Sequence, residues 1–221
     1  MKKFIIALLA IAMCLPSVKA QKHKGEQEIS ANYSVWSTTA MMAVLSNVMG
    51  SMLTWGIYTP DNIDNSADIG LTYRYYLSNR FALGASAMYM NNSYNAMLVD
   101  AINNGQVTRK QIGSGITHFY KFSLEGKLDY YRNDWFSCYG FLGLGFDIIN
   151  TKYTPDDNAL NVTGEDQEQT DLIHSKQNNT FPWPNFQVTP IGLSVGKDFG
   201  GFLDLGVGYK GILNLGVYYR F

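Results

Sequence analysis

Cysteine is almost missing from this sequence. Of the two in 221 residues, Cys14 sits in an N-terminal apolar run, so Cys138 alone is left for the body of the chain. That excludes an intramolecular disulfide and a cysteine-based metal site. Met13 before Cys14 is too large for a lipoprotein cleavage motif. A net charge of -1 lacks the basic footprint of a nucleic-acid binder. Long hydrophobic runs are missing too: nothing after residue 15 matches the about 20 apolar residues of a membrane-spanning helix. The run Phe4 to Leu15 is itself too short to span. Preceded by Lys2 and Lys3, broken by Pro16 and followed by Val18-Lys19-Ala20, it has the three regions of a secretory signal peptide. The expected organisation is a signal peptide over 1–20 and one exported domain over 21–221.

What the chain does have is glycine, 21 residues of it, and a 14% share of aromatics. Both fall on a period of two. A strand turns successive side chains to opposite sides. Counting back from the end, Phe221, Tyr219, Val217, Leu215 and Leu213 share one face, against Arg220, Tyr218, Gly216 and Asn214. Glu28 to Val35 alternates in the same way, as do Asp68 to Leu77 and Arg80 to Met90. The clearest case is Phe119 to Tyr131, where Tyr120, Phe122, Leu124, Gly126, Leu128 and Tyr130 oppose Lys121, Ser123, Glu125, Lys127 and Asp129. Trp135 to Asn150 continues it, with Phe136, Cys138, Leu142, Leu144, Phe146 and Ile148 on the apolar face. Asn185 to Lys197 slips phase at Pro190, where one inserted residue, a bulge, would restore the facing. Leu203, Leu205, Val207 and Tyr209 mark the seventh strand, and Lys210-Gly211 leads to the eighth.

Between these strands the connections alternate in length. Ser78-Asn79, Arg132-Asn133-Asp134 and Asp198-Phe199-Gly200 are short turns, whereas 36–65, 91–114 and 151–184 are long and mostly polar. In the last, Asp156, Asp157, Glu165, Asp166, Glu168 and Asp171 lack the spacing and central glycine of a calcium loop, and read as solvated. In the first, Met41, Met42, Val44, Leu45, Val48, Met49, Met52 and Leu53 change period to that of a helical face. Ser37 or Thr38 is placed to cap it, and Pro60-Asp61 to turn the chain back. The spacing predicts a helix of about four turns, roughly Thr38 to Thr54, over the barrel mouth or against the outer leaflet.

Eight alternating strands with short turns at one end and long connections at the other describe an antiparallel up-and-down transmembrane β-barrel. A soluble ligand-carrying barrel would point its apolar residues inward. That arrangement would fill its core with tyrosine and leave the signal peptide and terminal Phe221 unexplained.

The segments Leu71-Thr72-Tyr73-Arg74-Tyr75-Tyr76-Leu77, Thr189-Pro190-Ile191-Gly192, Gly208-Tyr209-Lys210-Gly211-Ile212 and Tyr219-Arg220-Phe221 resemble the outer-membrane β-barrel domain proteins of Gram-negative bacteria. The resemblance covers most of the mature chain, and its motifs are scaffold motifs. It implies a cell outer-membrane location with both termini periplasmic and the long connections outside. It also implies that Leu213, Leu215, Val217, Tyr219 and Phe221 form the signal read by the barrel assembly machinery. No catalytic residue comes with it.

Three histidines bear on chemistry: His23 in the N-terminal tail, His174 in the acidic connection and His118 at an outer strand end, facing headgroups. None has a serine or acid at a legible spacing, so no catalytic, cofactor or metal residue is assigned. Opposite the apolar faces lie Glu28, Arg74, Lys121, Glu125, Lys127, Asp129, Asp204 and Arg220. An eight-stranded barrel is only wide enough for its own side chains. Mixed charges there should pair, so Arg74, Lys121, Glu125, Lys127, Asp129, Asp204 and Arg220 are expected to form a lumen network. Phe81, Tyr130, Trp135, Phe136 and Tyr219 at one rim, with Tyr33, Tyr89 and Tyr120 at the other, suit interfacial girdles. The expected role is non-enzymatic: surface interaction, adhesion or envelope integrity through the outer connections. A narrow channel or small-molecule carrier is the second expectation, and a lipid-modifying enzyme the third. Expected partners are outer-membrane lipid, the assembly machinery and an extracellular molecule, for a monomer without cofactor.

Overall fold

The computed structural model describes residues 24–53, 58–103, 106–156 and 177–221. The expected signal peptide, His23, His174 and acidic residues 157–171 lie outside the described residues. The elements are β1 (Gln27–Val35), α1 (Thr38–Leu53), β2 (Tyr58–Asn65), β3 (Asp68–Tyr76), β4 (Phe81–Asn103), β5 (Gln106–Arg132), β6 (Phe136–Pro155), β7 (Gln177–Gly196), β8 (Phe199–Gly208) and β9 (Leu213–Arg220). All strand pairs are antiparallel. Eight of them close a ring in the order β1, β3, β4, β5, β6, β7, β8, β9 and back to β1. At the seam Gln27 and Phe221 exchange both backbone bonds, at 2.9 and 3.0 Å.

The ring is inside out. Along β5, Phe122, Leu124 and Leu128 are exposed on the outer wall, while Lys121, Glu125, Lys127 and Asp129 are buried. Leu124 is 72% exposed and its neighbour Glu125 2%. Every strand of the ring contributes to the outer apolar belt, far more contiguous apolar surface than a soluble monomer leaves uncovered. A closed sheet satisfies all its backbone groups internally, which hydrocarbon requires. The chain is an eight-stranded transmembrane β-barrel.

Its wall is uneven. Strands β1, β3, β8 and β9 have 8 to 10 residues, close to the about 9–11 that cross a bilayer. Strands β4 to β7 have 20 to 27 and rise on one side, beyond the end opposite the chain termini. Much of the sequence read as polar connection is therefore paired strand. Residues 91–103 and 106–114 form the upper part of the β4–β5 hairpin, paired from Asn91 opposite His118 to Asn103 opposite Gln106 with register shifts at Ala96/Met97 and Val99/Ala101. The two ends of the 151–184 connection likewise pair as β6 and β7, with Thr151 opposite Asn179. The alternation fades there because above the bilayer neither face meets hydrocarbon. The ladder of backbone bonds simply continues.

The expected Pro60-Asp61 turn is also strand. Both residues pair with β4, opposite Ala96 and Asn95. Strand β2 is an edge strand, where a missing N–H is tolerated, and a bulge at Asn62 (φ 50°) interrupts it. The slip at Pro190 is present as the expected bulge, between Val188 and Ile191.

Helix α1 begins one residue after its cap. The Ser37 hydroxyl accepts the Ala40 N–H at 3.1 Å. Its first turn packs over the mouth: Thr39 is buried, and Ala40 rests on Met90, Phe119 and Ile149. Beyond it Met41, Met42, Leu45, Met49, Met52 and Leu53 are all more than half exposed. Leu45→Asp and Met49→Asp are thus expected to leave stability of the refolded protein within about 0.5 kcal/mol. Ser37→Ala should cost about 1 kcal/mol through the lost cap. A larger loss from the aspartates in thermal melts would show that the apolar face is packed after all.

Candidate functional site in the barrel lumen

Strand alternation carries the inward side chains into two tiers. In the lower tier Glu28 is the hub. Its carboxylate accepts from Arg74 Nη1 at 2.9 Å and Arg220 Nε at 2.6 Å, with Lys127 Nζ at 3.7 Å. Arg74 Nη2 reaches across the lumen to Glu125 at 2.8 Å. Glu125 also pairs with Lys210 and accepts from the Tyr209 hydroxyl at 2.5 Å. Asp204 accepts from Tyr139 Oη and Asn214 Nδ2, both at 2.7 Å. Asp129 lies 3.9 Å from Lys127 and 3.2 Å from Arg132, which closes the lower end with Glu26 at 2.7 Å.

Aromatic rings fill the gaps between these groups. Lys127 Nζ sits 3.9 Å over the Tyr139 ring and the Arg220 guanidinium 3.8 Å over Tyr218. Such contacts favour a cation held away from water. In the upper tier Lys121 Nζ pairs with Asp68 at 2.5 Å and donates to Ser37 Oγ and the Tyr209 carbonyl, both at 3.2 Å. Asp147 accepts from Asn185 Nδ2 at 2.5 Å and Thr39 Oγ1 at 3.1 Å. Above it the tall wall and the first turn of α1 border an open cavity of about 910 Å³.

The structure places Arg74, Glu125, Lys127, Asp129, Asp204 and Arg220 together in the lower tier and Lys121 one level higher. Glu28, Asp68 and Asp147 join them, and all three have the inward parity that strand alternation makes legible. Tyr209 does not. Tyr209, assigned to the outer face of the seventh strand, is fully buried and bonded to Ser86 and Glu125. The cause is Gly208, whose φ of +144° ends β8 and swings Tyr209 inward. A side chain at 208 would also run into the Phe186 carbonyl, so only glycine fits both demands.

The remaining assigned residues lie on the outside. His118 Nδ1 is 2.8 Å from the Tyr89 hydroxyl, at the upper rim. Phe81, Tyr130, Trp135 and Tyr219 are exposed at the lower rim, Tyr33 and Tyr120 at the upper. Leu215 and Tyr219 of the closing strand face outward beside exposed Phe221, whose ring stacks on Tyr219 at 5.7 Å, and Leu213 and Val217 are half-buried. Among the described residues no group of three or more His, Cys, Asp or Glu could hold a metal ion.

No protein-family model and no curated protein matches the chain. Among solved structures it is similar to the N-terminal β-barrel domain of Pseudomonas aeruginosa OprF, at 14% identity and a TM-score of 0.44, over 90% of this chain and 99% of that one. It is also similar to Ail, the attachment invasion locus protein of Yersinia pestis, in complex with the heparin analogue sucrose octasulfate. That match has 13% identity and a TM-score of 0.42, over 90% of this chain and 99% of that one.

Proposed function

We propose that the chain is a non-enzymatic protein of the bacterial outer membrane that works through the surface it raises outside the cell. Both termini are periplasmic in this reading, and residues 1–20 are the export signal. The observation that carries it is the uneven wall. Strands of 20 to 27 residues cross the membrane with about half their length and hold the rest as a rigid paired platform. The lumen below is occupied by ion pairs and rings, so transport along the barrel axis has no room. What remains for function is the platform, which suits adhesion to an extracellular partner or contact within the envelope.

The test removes the platform and keeps the barrel. Deleting residues 93–116 and rejoining Asn92 to Thr117 should leave an assembled protein but abolish cell adhesion or raise detergent sensitivity. An assembled deletion with wild-type adhesion and wild-type envelope resistance would overturn the proposal. Orientation has its own check: a protease site inserted after Asp166 should be cut on intact cells, and one between Ser78 and Asn79 should be protected. The closed lumen also predicts no steady conductance in planar bilayers. Robust current altered by Glu125→Ala would favour a channel instead.

A further inference from the structure

Among the described residues of the lumen, six buried carboxylates face five buried basic side chains. The surplus is local. Glu28, Glu125, Asp129 and Asp204 share the lower tier with Arg74, Lys127, Lys210 and Arg220, four against four. The upper tier sets Asp68 and Asp147 against Lys121 alone.

Lys121 is ion-paired with Asp68 and donates to Ser37 and the Tyr209 carbonyl. Asp147 stands directly opposite Lys121 in the β5–β6 register, yet its partners are the neutral donors Thr39 and Asn185. Asn185 is only 9% exposed, and its Nδ2 is committed to the Asp147 carboxylate, which fixes the orientation of the amide. Its Oδ1 has no hydrogen-bond partner. A buried carboxylate without a cation and a buried carbonyl without a donor are both costly. Asp147 and Asn185 line the same cavity, and so do Phe119, Ile149, Phe181 and Trp183. Its 910 Å³ falls within the about 300–1,000 Å³ of sites for drug-sized ligands.

We propose that the mouth cavity binds an organic primary ammonium with an apolar or aromatic body. Its charge balances Asp147, one N–H satisfies Asn185 Oδ1, and its body lies against Trp183 and Phe119, where ring faces also favour the positive end. The site does not depend on the surface-interaction reading, since the platform can fail as an adhesin while the cavity still binds, and the reverse.

The experiment is calorimetric titration of the refolded full-length protein in detergent with 2-phenylethylammonium, 2-phenylethanol and methylammonium. The aromatic cation should bind saturably and at least tenfold more tightly than either the alcohol, which lacks the charge, or methylammonium, which lacks the body. Asp147→Asn should abolish the preference for the cation over the alcohol, and Trp183→Ala should weaken both aromatic probes. The three-probe comparison on the wild type needs no variant to fold. No saturable binding of the aromatic cation, equal affinity for cation and alcohol, or equal affinity for methylammonium would overturn the proposal. So would an Asp147→Asn protein that binds the cation like the wild type.

Discussion

Glu28→Ala is expected to destabilise the barrel by about 3–5 kcal/mol, the cost of removing one partner from a buried charge cluster. Glu28 is the carboxylate shared by Arg74, Arg220 and Lys127. Without it three cations face one another in a lumen closed to water, and Arg74 keeps only Glu125. The seam gives the change further leverage, because Glu28 pairs in register with Arg74 on β3 and with Arg220 on β9. Glu28→Gln, which retains hydrogen-bonding groups but not the charge, should fall between wild type and alanine. Glu125→Ala removes the partner of Arg74, Lys210 and Tyr209 and should rank with Glu28→Ala. Urea titration of protein refolded in detergent, followed by the electrophoretic shift of the folded barrel, measures all three. Variants that unfold with the wild type would show that the ion pairs fill the lumen without stabilising it.

Phe221→Ala is expected to cut the amount of barrel assembled in the outer membrane several-fold while leaving the refolded protein as stable as wild type. The two readouts separate because the ring and the backbone of this residue do different things. The residue is 59% exposed on the outer face and its ring stacks on exposed Tyr219, so little folded-state packing is lost. The backbone N–H and carbonyl hold Gln27 across the seam, and alanine keeps both bonds. Deleting the residue removes them as well, so the deletion should lose stability in addition to assembly. Quantifying membrane-extracted, heat-modifiable protein beside urea midpoints distinguishes recognition from strength. Wild-type assembly of Phe221→Ala would sink the role of Leu213, Leu215, Val217, Tyr219 and Phe221 as an assembly signal.

Alternation and local spacing were enough to specify the barrel, its ring of eight strands, its inside-out facing and a helix in the first outer connection. Within the bilayer each strand residue meets either hydrocarbon or the lumen, so a period of two is imposed on every crossing strand. Lys121, Glu125, Lys127 and Asp129 on β5 therefore declared their direction without any structure. So did Arg74, Asp204 and Arg220. Ser37 and the helical spacing after it worked for the same reason, since caps and faces are local.

What local pattern does not encode emerged with closure of the barrel. Above the bilayer neither strand face meets hydrocarbon, so residues 91–103 and 106–114 lose their apolar alternation and read as a loop although they are paired. Tyr209 enters the lumen because of one positive φ at Gly208, a backbone fact that spacing cannot show. Which carboxylate takes which cation, and that Asp147 takes none, depends on strands as far as 192 residues apart in sequence meeting across a ring. Parity gives the direction of a side chain; only closure of the barrel gives its partner.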